Sequence, residues 1–153
     1  MIRILFVCHG NICRSTMAQY VMQHLVDLAG LTDSFYIDSA ATSREEIGNP
    51  PHYGTRRKLK EVGIPCGDHR ARQMRRDEYD DFDYIIGMDT WNLRNMMRIL
   101  GSDPDGKVSK LLDFTGRMDE DIADPWYTGD FDATYRDVKE GCEALLNECL
   151  LRL

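Results

Sequence analysis

The sequence predicts an α/β fold: one domain spanning residues 1–153, with a four-stranded parallel sheet sandwiched between helices to make three layers. Three observations predict it. Short β-branched and apolar runs alternate with longer stretches whose apolar positions recur at three and four residues, the signature of strand–helix–strand units. Glycines stand where the helical stretches stop. The first apolar run leads directly into CHGNICRS, residues 8–15, and then into a helical stretch. In open α/β sheets, that position at the carboxyl end of a strand is where ligands bind.

In chain order, Ile2–Val7 reads as the first strand. Ala18, Val21, Met22, Leu25, Val26 and Ala29 follow at helical spacing, with Gly30 placed to end the helix. Phe35–Asp38 is the second strand, and a helix is predicted from about Pro50–Tyr53 to Val62, before Gly63. Tyr84–Met88 is the third strand; a helix over Thr90–Leu100 stops at Gly101, and Asp103–Gly106 has the composition of a turn. Val108–Leu112 is the fourth strand. The last helix, about Ala133–Leu151, carries Tyr135, Val138, Cys142, Leu145, Leu146, Cys149 and Leu150 on one side, so Cys142 and Cys149 are expected in the core. Segments 39–50 and 117–132 have no period and are expected to be irregular.

Composition narrows the function classes. With 42% hydrophobic and 29% charged residues, the chain is long enough to bury a core without metal or disulfide staples. It has no apolar run near the roughly 20 residues of a membrane span, and no signal-peptide pattern at Met1, which predicts a cytoplasmic protein with no membrane partner. A net charge of −7 argues against nucleic acid as partner. The basic clusters Arg56-Arg57-Lys58 and Arg70, Arg72, Arg75, Arg76 read as solvated faces. Five cysteines, an odd number, fit reduced thiols better than a disulfide framework.

CHGNICRS has the parts of an anion cradle. A short loop from strand to helix turns backbone N–H groups inward, and the helix dipole adds positive potential. Gly10 permits close approach and Asn11 tolerates left-handed angles. Arg14 supplies a planar fork for two phosphate oxygens, and Ser15 or Thr16 can begin the helix and donate a hydroxyl. At the base of this loop, amides, arginine and helix end favour a thiolate, which makes Cys8 a nucleophile. Hydrolysis of an aryl phosphate then needs a proton for the departing phenol. Asp124, one of six acids in 117–132, is the best candidate: Pro125 holds it extended, and Trp126 and Tyr127 offer flat walls for an aromatic ring. Cys13 is close enough in sequence to form a reversible disulfide with Cys8. A structural zinc reading of Cys8, Cys13, Cys66 and His69 leaves Arg14 beside a cation without a purpose, so no metal is expected.

At this point the chain resembles the low-molecular-weight protein tyrosine phosphatases along essentially its whole length. CHGNICRS near the N-terminus, Asp124-Pro125-Trp126-Tyr127 near the C-terminus, Ile37-Asp38-Ser39-Ala40, His69-Arg70-Ala71-Arg72-Gln73 and Phe82–Asp89 carry the resemblance. It implies hydrolysis of phosphotyrosine in protein substrates through a phosphocysteine on Cys8, without cofactor. His9, Gly10, Asn11, Ile12, Cys13, Arg14 and Ser15 would hold the phosphate, and Asp124 would act as acid and then base. Ser15 would stabilise the Cys8 thiolate, while Asn11, with Ser39 and His69, would support the loop. Where eukaryotic members often place a tryptophan, this chain has Thr42-Ser43-Arg44-Glu45-Glu46-Ile47, an acidic rim.

Three alternatives were weighed on residues. Arsenate reductases on this fold use a cysteine pair in mid-chain, and here no cysteine lies between Cys66 and Cys142. Phosphoarginine phosphatases usually carry threonine where this chain has Ile12. A non-catalytic phosphotyrosine-binding module would keep Arg14 and lose Cys8 or Asp124, and both are present.

Overall fold

The computed structural model describes residues 1–153. Its sheet comprises β1 (Ile2–Cys8), β2 (Phe35–Ala41), β3 (Tyr84–Gly87) and β4 (Val108–Lys110), all parallel, in the order β2-β1-β3-β4. Five helices accompany it: α1 (Arg14–Leu28), α2 (Tyr53–Glu61), α3 (Thr90–Leu100), α4 (Pro125–Thr128) and α5 (Phe131–Leu150).

β1 is central and buried on both faces, which explains why Ile4-Leu5-Phe6-Val7 is uninterrupted rather than alternating. Its side chains still divide by parity. Ile4, Phe6 and Cys8 join the larger core with Met17, Val21 and Met22 of α1, Leu59 of α2, and Val138, Cys142, Leu145 and Cys149 of α5. Leu5 and Val7 pack on the other face against Met74, Phe82 and, from α3, Met96 and Leu100. The three layers are therefore α1, α2 and α5, then the sheet, then α3. Cys142 and Cys149 are fully buried as expected, and burial pushes the Cys149 thiol up to about 11.

The topology places the loop after β1 at a switch point. The chain leaves β1 to build β2 on one side, then returns to build β3 on the other, opening a crevice at the strands' carboxyl ends. Asp89 follows β3 at the same end and caps α3, its Oδ1 accepting from the Asn92 amide at 2.6 Å. Gly101 ends α3 with φ of 83°, a conformation that strains any residue with a Cβ.

Element boundaries differ from the sequence expectation where polar residues are buried. α1 begins at Arg14, just before the Ser15 or Thr16 start expected from the sequence; Arg14, Ser15 and Thr16 are buried at the site while Met17 joins the apolar core. β2 continues to Ala41, paired with Cys8 on one side and bridged to Gln73 on the other, which shortens the irregular segment. β4 ends at Lys110, and Leu111 and Leu112 enter a 3₁₀ turn (Leu111–Thr115) that packs on α5. The segment 117–132 is not wholly irregular: α4 and the start of α5 lie within it, capped by Asp124 and Asp130. Arg72 does not belong to a solvated face, since it bridges Asp38 at 2.9 Å and the buried Glu78. No helix is long and apolar enough to cross a membrane.

The contact between α5 and the 3₁₀ turn is tight enough to be tested. A Cβ at Gly141 would lie 2.5 Å from Leu111 Cγ, and Leu111 is fully buried. Gly141→Ala gains about 1 kcal/mol of helix propensity but meets an overpacking cost of about 1–3 kcal/mol. The expected result is a net loss on the order of 1 kcal/mol in denaturant unfolding. A variant as stable as the parent would show that Leu111 has room to move.

Candidate active site

The loop from β1 to α1 turns on Asn11, the one non-glycine residue with positive φ, at 59°. Asparagine tolerates this conformation better than most residues. Its side chain is fully buried and satisfied: Nδ2 donates to Ser15 Oγ at 2.8 Å and Ser39 Oγ at 2.9 Å, while Oδ1 accepts from His69 Nε2 at 2.8 Å and the Arg72 amide at 3.3 Å. Ser39 Oγ in turn donates to Gln19 Oε1, and the His69 amide donates to Tyr20 Oη at 3.0 Å. Burial pushes His69 down from its ordinary value; Asp38 opposes this and Arg72 adds to it. The neutral ring, protonated on Nε2, is the form that fits the Asn11 carbonyl. The structure thus brings together Asn11, Ser15, Ser39 and His69, the residues that the resemblance implied would support the loop.

Cys8 ends β1 and is buried at the floor of a cleft, with Ser15 Oγ 3.1 Å from its sulfur. Because Asn11 Nδ2 already donates to Ser15 Oγ, the serine proton is available to the sulfur. Ser15 and Thr16 do not cap α1. The cap position is Cys13, with no side-chain capping bond, and Thr16 Oγ1 donates to the Cys13 carbonyl at 3.0 Å. The Thr55 hydroxyl donates to the same carbonyl at 3.0 Å.

Arg14 is almost completely buried, and both terminal nitrogens of its guanidinium have acceptors. Nη1 donates to Asp89 Oδ2 at 2.7 Å and to the Ile122 carbonyl at 2.9 Å; Nη2 reaches Asp124 Oδ2 at 3.4 Å. Burial opposes the charge, but Cys8, Asp89 and Asp124 outweigh it and hold the guanidinium protonated. The other Asp124 oxygen accepts from the Trp126 amide at 3.0 Å, with Pro125 in the first turn of α4. One carboxylate therefore faces the arginine while capping the short helix that carries Trp126 and Tyr127.

Gly10, Ile12 and Cys13 join Cys8 in lining the cleft, and Asp124, Trp126 and Tyr127 form one side. Glu45 and Glu46 make the acidic rim on the other side, where Glu45 Oε2 lies 2.9 Å from His9 Nε2. Trp126 and Tyr127 are exposed, and Trp126 meets the His52 ring edge-on at 5.7 Å between centroids. The Cys13 thiol is pushed well above its ordinary range by burial, reinforced by Cys8 and Asp124. No three His, Cys, Asp or Glu side chains converge in a metal-holding geometry, and Cys66 is exposed.

Sequence reasoning missed Asp89, Ile122, Gln19 and Tyr20. For Asp89 a signal existed: an aspartate between the third strand and a helix, at the ligand-binding end of the sheet, is both an N-cap and a ready partner for a buried arginine. The Ile122 carbonyl had no signal, because any residue supplies that acceptor.

Comparison with known proteins identifies the family. The family model for low molecular weight phosphotyrosine protein phosphatase matches residues 3–152. The low molecular weight protein-tyrosine-phosphatase YfkJ of Bacillus subtilis is 42% identical over 95% of this chain and 94% of its own. The YfkJ crystal structure superposes with a TM-score of 0.95, covering 99% of this chain and 96% of that one. A low molecular weight phosphotyrosine protein phosphatase of Rattus norvegicus is 39% identical over 95% of this chain and 94% of its own. The structure of a Drosophila arginine phosphatase also matches, with a TM-score of 0.85 and 34% identity over 95% of this chain and 96% of that one. With a family match over nearly the full length and relatives this similar over nearly all of both chains, the chain belongs to the low molecular weight phosphotyrosine protein phosphatase family.

Proposed function

We propose that the protein hydrolyses phosphotyrosine in protein substrates, with Cys8 as nucleophile, Arg14 as phosphate clamp and Asp124 as general acid and base. One observation carries the reading: Cys8 and Asp124 line one cleft, and Arg14, 110 residues from Asp124 in sequence, donates to that same carboxylate at 3.4 Å.

In the first step Cys8 Sγ attacks phosphorus, forming the S–P bond as the P–O bond to the phenol breaks. Asp124 gives its proton to the departing oxygen, because an unassisted phenoxide is a poor leaving group at neutral pH. Amides of residues 9–15 and the Arg14 fork hold the three equatorial oxygens, where charge builds up in the transition state. In the second step Asp124, now a carboxylate, takes a proton from water as its oxygen attacks phosphorus. The S–P bond breaks, and Ser15 stabilises the thiolate that leaves. The balance is aryl phosphate plus water to phenol plus phosphate, with Cys8 and Asp124 returned to their starting states.

The arginine phosphatase neighbour shows that the fold serves more than one phosphoamino acid. Here Ile12, Trp126 and Tyr127 give the cleft an apolar, aromatic lining that fits a phenyl ring. Rates on phosphotyrosine, phosphoserine and phosphoarginine peptides, with arsenate as control, are expected to rank phosphotyrosine first; faster phosphoarginine cleavage would reverse the assignment. Five free cysteines and the charge of −7 support a single domain over 1–153 that works in the cytoplasm on phosphoproteins rather than on nucleic acid or membrane.

Cys8→Ser is expected to abolish turnover while leaving the affinity for inorganic phosphate largely intact. Asp124→Ala should cost roughly 10²–10⁴-fold on phosphotyrosine and much less on substrates with good leaving groups. Steady-state kinetics on both substrate classes would check this, and equal losses would remove Asp124 from its role. Cys13 adds a redox prediction. Once peroxide converts Cys8 to a sulfenic acid, the Cys13 thiol can displace water to form a disulfide that thiols later reduce. Cys13→Ala should therefore regain less activity than the parent after peroxide followed by thiol; equal recovery would dispose of the idea.

A further inference from the structure

We infer that Lys110 is a positioning residue for Asp124: its ammonium, through Asp121, pins the loop that delivers the acid to the cleft. The inference rests on the role proposed for Asp124. Between Gly116, which closes the 3₁₀ turn after β4, and Pro125, which opens α4, the chain has no helix or strand. The position of Asp124 therefore depends on side-chain anchors rather than on a backbone ladder.

Those anchors converge on residues 120–122. Lys110 closes β4, at the edge of the sheet, and is only 7% exposed, a degree of burial that lysine reaches only when paired. Its Nζ donates to Asp121 Oδ1 at 3.1 Å and to the Glu120 carbonyl at 3.2 Å. The same Asp121 oxygen accepts from the Thr90 amide at 3.1 Å and the Thr90 hydroxyl at 3.2 Å. One carboxylate oxygen thus ties the loop to the end of β4 and to the start of α3. Ile122 follows, fully buried, its amide donating to the Met88 carbonyl at 3.0 Å and its carbonyl accepting from Arg14 at 2.9 Å. Asp124 lies two residues further on.

The Lys110 ammonium holds this cluster without touching the substrate cleft. Removing it leaves the Glu120 carbonyl without that donor and releases Asp121 from β4. The phosphate loop keeps its own support in Asn11, Ser39 and His69. The defect should therefore fall on proton delivery and spare phosphate binding.

The test compares kcat/KM on phenyl phosphate, whose departure needs a proton, with that on dinitrophenyl phosphate, whose departure does not. Lys110→Met keeps the aliphatic packing, Lys110→Arg keeps the charge, and Asp124→Asn is the control. Asp121→Asn is measured in parallel, so the result does not hang on the folding of Lys110→Met. Lys110→Met is expected to lose on the order of 10-fold on phenyl phosphate, since small misplacements of a catalytic group cost up to about 10². It should change dinitrophenyl phosphate cleavage and inhibition by inorganic phosphate by less than about 2-fold, with Asp121→Asn shifting the same way and Lys110→Arg restoring most of the loss. Equal losses on both substrates, or none, in Lys110→Met and Asp121→Asn while Asp124→Asn remains selective would overturn the inference alone. An unselective Asp124→Asn would overturn the role of the acid, and the inference with it.

Discussion

Arg14 is a charged group with almost no access to water, and such a group is stable only if its donors find partners. It finds them in three places: Asp89 after β3, the Ile122 carbonyl, and Asp124. Meeting this requirement sets the geometry of the rest of the site. The first turn of α1, the carboxyl end of β3 and the segment before α4 must all reach one guanidinium, and the β2-β1-β3-β4 order brings the first two side by side. The third arrives by way of the loop. The group proposed to clamp phosphate is consequently also the group that registers the proposed acid against the proposed nucleophile.

A second constraint works within the loop. Asn11 adopts a conformation that costs most residues energy, and the fold offsets the strain by giving every polar atom of its amide a partner. The network ends at Ser15, whose hydroxyl is left facing the sulfur of Cys8. A loop held this way presents its amides to an incoming phosphate with little reorganisation, the condition under which fixed dipoles act most strongly on developing charge. His69 takes part as a neutral ring because burial disfavours its charge. Protonation would put a second donor on a ring nitrogen that faces Asp38, at the cost of a buried cation.

The sequence made the strands and helices legible because their apolar residues carry a period. It also marked Cys8 and Arg14 as candidates through their spacing in one loop, while Asp124, one of six acids in its segment, stood out only beside that loop and the Pro125-Trp126-Tyr127 that follows it. What it hid were contacts without a pattern. Asp89 caps α3 with one oxygen, and the purpose of the other shows only with Arg14 beside it. Gln19 and Tyr20 sit on a helix face whose apolar period says nothing of polar partners across the sheet's end. Arg72 was read as solvated because a run of basic residues carries no mark of the acids folded against it.

The claim that one buried guanidinium organises both clamp and acid is most directly tested through Asp89. Asn caps a helix about as well as Asp, so Asp89→Asn leaves α3 capped while removing the charge that holds Arg14. Measuring the inhibition constant of inorganic phosphate together with kcat/KM on a phosphotyrosine peptide should show both worsening, kcat/KM by on the order of 10²-fold. Thermal stability should fall as well, because a buried guanidinium loses its nearest charge partner, while α3 stays capped. Unchanged phosphate affinity and turnover in a folded Asp89→Asn protein would contradict the account.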